Sequence, residues 1–167
     1  MTRHATPDAQ ELLEADHRAI EDLFGRYAQL AGRQARAGLR ADLADRICVE
    51  LAIHGRLEQE LVYPALREAL RDDDAMDEAD AQHDSLRELT AQVLAMDAGD
   101  RLFDARMAVL ADYALRHFRE EEMQLFSRVR ETGVDMLHMG RALAVRKEEL
   151  RAVADALRED MLVSLTG

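Results

Sequence analysis

His54-Gly55-Arg56-Leu57-Glu58 and His117-Phe118-Arg119-Glu120-Glu121 are two versions of one phrase. Each sets a carboxylate four residues after an imidazole. On an α-helix that is one turn, about 6 Å of rise, with both side chains on the same face. An Arg holds the third place in both, and an aromatic residue, Tyr63 or Phe126, follows nine residues after each His. Upstream, His17 stands 37 residues before the first phrase and His83 stands 34 before the second. Apolar residues follow both upstream His at the third and sixth places, Ile20 and Leu23 in one case, Leu86 and Leu89 in the other. The chain reads as two helical hairpins of one plan, each offering a His and then His-x-x-x-Glu.

The residues around these phrases carry helical spacing. Leu13, Ile20, Tyr27 and Leu30 share a face with His17; Leu43, Ile47, Leu51 and Leu61 form a stripe interrupted by His54 and Glu58. Leu86, Thr90 and Val93 continue a stripe through His83, and Leu110, Ala114 and Leu125 flank His117 and Glu121. Alternating steps of three and four are the seam of a helix in a bundle. Four His and two Glu thus stand where the pattern asks for apolar residues, and buried polar groups are costly unless something satisfies them.

Breakers place the helix ends. Pro7 suits a first turn, with Asp8 and Glu11 at its positive end, and that helix runs to about Ala31. A second is expected over 39–70 with Pro64 near its end, a third over 75–96 capped by Asp72, Asp73 and Asp74, and a fourth capped by Asp100 and running to about Glu131. Thr132-Gly133 is a stop, and a fifth helix is expected over 134–162. No segment alternates at period two. The fold expected is all-α: an up-down four-helix bundle over 8–131, with an additional C-terminal helix over 134–162. The apolar line of that helix, Leu143, Leu150, Val153 and Leu157, suits packing on the bundle or a homodimer.

Composition agrees. The 167 residues suffice for a core without covalent staples, and 48% hydrophobic with 4% aromatic, no Trp and two Pro favours helices over a β-sandwich. The formal net charge of −12 disfavours nucleic acid and anionic membranes as partners. One Cys makes no internal disulfide, no basic-then-apolar leader opens the chain, and no apolar run approaches a membrane span, so a cytoplasmic location is expected.

Imidazole and carboxylate donors together suit Fe, Zn or Mn. Two metals, each with two His and both spanned by Glu58 and Glu121, fit six ligands in two equivalent halves. The set of His17, His54 with Glu58, His83, and His117 with Glu121 resembles the hemerythrin-like family, the HHE cation-binding domain. Glu60-Leu61-Val62-Tyr63-Pro64 is similar to the family's tail after its second His, and the likeness covers about residues 10–130; Arg146–Leu150 resembles the segment that follows many bacterial members. The resemblance implies a non-heme di-iron centre, oxo- or hydroxo-bridged, with a small molecule (oxygen, peroxide or nitric oxide) as its partner. It also carries a departure. Oxygen-carrying hemerythrins place a fifth His one turn after the third-helix His, where this chain has Arg87, and use His-x-x-x-x-Asp where it has His117 and Glu121. That favours reaction with these small molecules, or sensing of iron or oxygen, over reversible carriage; a bundle holding zinc or no metal is the remaining alternative.

Other polar residues receive blander readings. Glu21 is expected in a salt bridge or in solvent, with metal contact as the alternative. Tyr27, Tyr63 and Tyr113 are read as packing residues, Tyr113 with the option of reaching a metal-bound ligand. Cys48 is read as small core, His4 and His138 as outside the frame, and Glu120 and Glu122 as solvent-facing.

Overall fold

A computed structural model describes residues 6–166. The described residues hold helices and no strand. Helix α1 is Ala9–Gly32 and α2 is Ala37–Leu57; α2 passes through a π-helical turn, Glu58–Val62, into α3, Tyr63–Leu70. Helix α4 is Asp73–Ala95, and α5 is Phe103–Glu120, which passes through a second π turn, Glu121–Phe126, into α6, Ser127–Val129. Helices α7, Met136–Ala152, and α8, Ala154–Val163, complete the chain. None of the helices is long and apolar enough to cross a membrane.

Local chemistry sets the ends. Asp8 caps α1 through a full capping box, its side chain accepting from Glu11 N–H while the Glu11 carboxylate accepts from Asp8 N–H. Pro7 therefore lies just before the cap rather than in the first turn. Asp72 caps α4 by accepting from Ala75 N–H. Thr132 ends the fourth bundle helix by bonding back to Val129 O through both its N–H and its hydroxyl.

Three further expectations need correction. The second helix begins at Ala37, two residues early, since the chain needs only a short turn after Gln34, which takes the left-handed conformation (φ 52°). Asp100 does not cap α5 directly. Its carboxylate accepts from Leu102 N–H and its carbonyl from Phe103 N–H, which builds a turn, and the helix starts at Phe103. The fifth helix is two helices. Val153 leaves helical geometry (φ −117°, ψ 28°), so α8 bends away from the axis of α7.

The core has two parts. One cluster gathers Leu13, Leu57, Tyr63, Leu66, Met76, Leu125, Phe126 and Val129. The other gathers Ile20, Phe24, Ile47, Leu51, Leu86, Met107, Leu110 and Phe118. The first takes the start of α1 and α4 and the end of the second and fourth bundle helices, and the second takes the opposite ends. That is the signature of an up-down bundle. Helix α7 packs on α1 and α2, and α8 on α2 and α4. Leu143, Leu150 and Leu157 are buried there, while Val153 faces outward at 50% exposure.

Where α7 crosses the start of α1 the fit is close. A Cβ built on Gly140 would lie 2.7 Å from Pro7 O, 2.9 Å from Asp8 C and 3.0 Å from Ala9 N. Alanine ordinarily stabilises a helix interior over glycine by about 0.5–1 kcal/mol. Gly140→Ala should instead destabilise by about 1–3 kcal/mol, because backbone atoms must move. Gly25→Ala, in open space on α1, should show the ordinary gain. Denaturant melts of the two variants check the opposite signs.

Candidate metal centre

The six singled-out residues lie in one layer between the two apolar clusters. His17 comes from α1, His54 from α2, His83 from α4 and His117 from α5; Glu58 and Glu121 each open a π turn. All six are buried, and Glu58 is 0% exposed. A π turn carries one residue more per turn than an α-helix, and such turns favour functional sites. In the first, Tyr63 N–H bonds to Glu58 O, five residues back. The wider turn also makes room for Pro64, whose ring would crowd an α-helical carbonyl before it.

The donor atoms converge. His54 Nε2 lies 3.3 Å and His83 Nε2 lies 2.8 Å from Glu58 Oε2. His17 Nε2 lies 3.5 Å and His117 Nε2 lies 3.6 Å from Glu121 Oε2. His17 Nε2 and His54 Nε2 are 3.1 Å apart. Yet both Glu58 oxygens, Glu121 Oε2, His83 Nε2 and His117 Nε2 have no hydrogen-bond partner. They are close without pointing at one another. Buried polar atoms left this way are rare and call for an explanation such as an ion. The donors fall into two groups, His17, His54, Glu58 and Glu121, and Glu58, His83, His117 and Glu121, with the ligand atoms of each group within 4.8 Å of one another. Both groups contain both carboxylates. Nitrogen and oxygen donors in this number suit a transition metal, and the residues present fit one.

An outer ring of side chains fixes the imidazoles. Glu122 Oε1 is 2.7 Å from His17 Nδ1, and Gln82 Oε1 is 2.8 Å from His117 Nδ1. Gln82 is itself held by Glu120 at 2.8 Å. Asp16 Oδ2 stands 3.7 Å from His54 Nδ1, and Asp16 also pairs with Lys147 of α7. Tyr63 donates its hydroxyl to Glu121 Oε1. Such partners orient metal-binding imidazoles and raise their basicity. The rings are packed as well: Phe118 stacks on His17 at 4.1 Å and Phe126 at 6.0 Å, while Tyr63 meets His83 edge-on at 4.8 Å.

Several residues read as bystanders belong to this ring. Glu122 and Glu120 are not simply solvent-facing, and Tyr63 is more than packing. Asp16 and Gln82 were not singled out, although each directly precedes an upstream His. Tyr113 lies off the cage with Arg116 over its ring at 5.2 Å, and Glu21 is exposed. Arg87 is exposed and pairs with Asp84 at 3.0 Å. Cys48 is buried core, its thiol donating weakly to Thr90 O. His138 is exposed on α7, and His4 lies outside the described residues.

The electrostatics of the cage are strongly coupled. Burial opposes charge on His54, but Glu58 and Asp16 outweigh it and hold the imidazole up at about 10. Burial also opposes charge on Glu58, and His54 and His83 more than offset it, so its carboxyl stays well below the usual range. His83 is raised by Glu58 against its own burial. His117 goes the other way, because burial outweighs its carboxylates and favours the neutral ring.

Comparison with known proteins agrees with this arrangement. The hemerythrin HHE cation binding domain matches residues 8–129. A protein named DNA nickase from Nostoc sp. (strain PCC 7120) is 27% identical over 121 residues, which are 72% of this chain and 33% of that protein. The chain thus spans about a third of that relative's length. A crystal structure of a hemerythrin HHE cation binding domain-containing protein from Mycobacterium kansasii aligns with a TM-score of 0.75 at 23% identity, covering 88% of this chain and 89% of that one. At that identity the likeness speaks for the fold.

The shifts set a pH dependence for the chelator-treated protein. A His whose folded pKa is raised stabilises the fold fully below its ordinary value of 6.5, and loses that contribution as pH rises toward about 10. His117, held neutral, contributes above 6.5 and loses it on acidification. With His54 and His83 together opposing His117, the metal-free melting temperature should fall between pH 6.5 and 10. Asp16→Asn should flatten that fall, which a series of melts across this range reads directly.

Proposed function

Since the chain belongs to the hemerythrin HHE cation-binding domain family, we propose that its buried layer holds two iron ions and handles oxygen, peroxide or nitric oxide. His17 and His54 would hold one ion, His83 and His117 the other, with Glu58 and Glu121 shared. The observation that carries this reading is the pair of donor groups with both carboxylates in common. Their unpartnered buried atoms support it. When bound, a di-iron pair supplies one- and two-electron redox chemistry and coordination positions for a small ligand.

The chain's own residues prepare that chemistry. Glu122 and Gln82 hold two imidazoles through Nδ1, which leaves Nε2 for the cage. Asp16 does the same for His54 at longer range. Tyr63 keeps a hydroxyl proton on Glu121, and its own ionisation is pushed far up by burial and by Glu58 and Glu121. It is a hydrogen-bond donor at the edge of the cage that holds its proton. Phe118 and Phe126 close one side against water. Arg87, in the position where the oxygen carriers have their fifth His, is turned to solvent and stays charged, so it supplies no ligand. That supports reaction over reversible carriage. A formal charge of −12 favours a small neutral reactant over DNA, so the nicking activity named for the Nostoc relative is not carried across. A sensing role without turnover has one observation in its favour: the polar layer splits the core, so metal bound only by the folded state would shift its stability.

Anaerobic loading with ferrous iron should give two ions per chain. Glu58→Ala and Glu121→Ala should each lose both ions, and full retention of one would count against shared carboxylates. Chelation should lower the melting temperature while the helical circular dichroism persists. On mixing the ferrous protein with oxygen, stopped-flow absorption should show lasting oxidation, and Arg87→His should shift it toward reversible binding. A reversible oxygenated spectrum in the unmodified protein would sink the reactive reading, and sustained peroxide or oxygen consumption separates turnover from sensing.

A further inference from the structure

The two halves of the centre share one plan but differ around His17 and His83. Phe118 follows His117 and stacks on the His17 ring at 4.1 Å with the planes 10° apart. Its counterpart after His54 is Gly55, next to His83. Glu122 follows Glu121, and its carboxylate accepts from His17 Nδ1–H at 2.7 Å. Its counterpart after Glu58 is Gln59, and among the described residues no hydrogen bond joins Gln59 to His83. His83 therefore lacks both the ring and the acceptor that His17 has.

In their stead is a cavity of about 150 Å³ between α2, α4 and α8. Leu51, Leu86, Leu157 and Met161 supply apolar wall, and His83 and Gly55 also line it. His83 turns Nε2 toward Glu58 and its other edge toward Gly55, where an added Cβ would sit 3.6 Å from Nδ1. The imidazole as a whole is only 4% exposed, and this edge faces the cavity. A metal-bound imidazole almost always donates its second N–H to an acceptor. Arg56 and Arg87 line the cavity with Asp160; Arg87 also pairs with Asp84 and Arg56 lies 4.0 Å from Glu60. An apolar cavity of about this size is known to accept a benzene ring.

We propose that this cavity binds a small aromatic monocarboxylate. Its ring takes the place over His83 that Phe118 takes over His17. Its carboxylate accepts from His83 Nδ1–H, as the Glu122 carboxylate partners His17, and competes with Asp84 for Arg87 of the cavity lining. The ligand thereby completes the outer ring of His83, and it ties α8 to the centre. The inference rests on the proposed iron site in one respect: metal on Nε2 keeps the proton on Nδ1.

Benzoate is the probe. Titration calorimetry of the full chain, iron-loaded and chelator-treated, should show one benzoate per chain, bound more tightly with iron present. Gly55→Leu and Leu157→Phe fill the space from opposite sides, and each should weaken binding by about tenfold or more, a loss of about 1.4 kcal/mol. Arg87→Gln should weaken it severalfold. Toluene, a ring with no acceptor, should bind at least about tenfold more weakly, since it covers the His83 N–H and leaves it unpaired. Benzoate should also perturb the iron absorption spectrum, and toluene should not. No binding, or unchanged binding in both filled variants with intact melting curves, overturns the proposal; equal binding of toluene removes the His83 contact from it. Iron content is measured on the same samples. Benzoate bound without iron counts against the cofactor alone, and iron bound without benzoate counts against the cavity alone.

Discussion

Everything in this molecule is arranged around the cost of taking four imidazoles and two carboxylates out of water. A single charged group in the interior costs several kcal/mol unless it is paired and hydrogen-bonded. Here six such groups share one layer, and most of their inward-facing atoms have no protein partner. The layer cuts the apolar core in two, so neither cluster runs the length of the bundle by itself. The outer ring is the chain's response. Glu122 and Gln82 hydrogen-bond the outward nitrogens of His17 and His117, Tyr63 bonds Glu121, and Asp16 stands 3.7 Å from His54 Nδ1 as its charge partner. Through Lys147, which pairs with Asp16, even α7 takes part in holding His54.

The centre has the symmetry of its sequence. The residue before each upstream His, Asp16 or Gln82, serves the other His of its own hairpin. The aromatic residue nine places after each downstream His crosses to the other hairpin, Tyr63 to His83 and Phe126 to His17. A hairpin supplies three ligands and one aromatic wall for its partner, so neither hairpin alone makes half a centre. Departures from this symmetry are correspondingly informative. Gly55 against Phe118 opens a space beside one imidazole and not beside the other.

The sequence exposed the cage because polar residues broke an apolar stripe, and that signal survives without any neighbour. His17, His54, Glu58, His83, His117 and Glu121 all interrupt helical seams, and all six are buried. The outer ring left no such mark. Asp16, Gln82 and Glu122 sit one place from the seam, where a polar residue is the ordinary choice for a helix flank. Their role comes from a ring nitrogen on another helix. Tyr63 was equally hidden, since a seam tyrosine packs whether or not its hydroxyl has a partner. The break at Val153 had no Gly or Pro to announce it. Asp100 looked like a cap, but a carboxylate that can cap a helix can also close a turn before it, and only the path of the chain decides between them.

The π turns make the two halves sensitive to a different kind of change from substitution. Each is a helix with a residue wedged into it, and the extra residue rotates everything downstream by about 100°. That rotation brings Leu66 of α3 and Val129 of α6 into the core. Removing one residue between Glu58 and Val62, or between Glu121 and Phe126, would let the turn tighten to an ordinary α-helix. The ligands before it would keep their places while Tyr63 or Phe126 swung off the cage and the following stripe turned toward solvent. Length in these two short segments is therefore under tighter constraint than residue identity. Insertions and deletions belong in the loops at Arg33–Arg36 and Asp97–Leu102, where no helical phase is carried across.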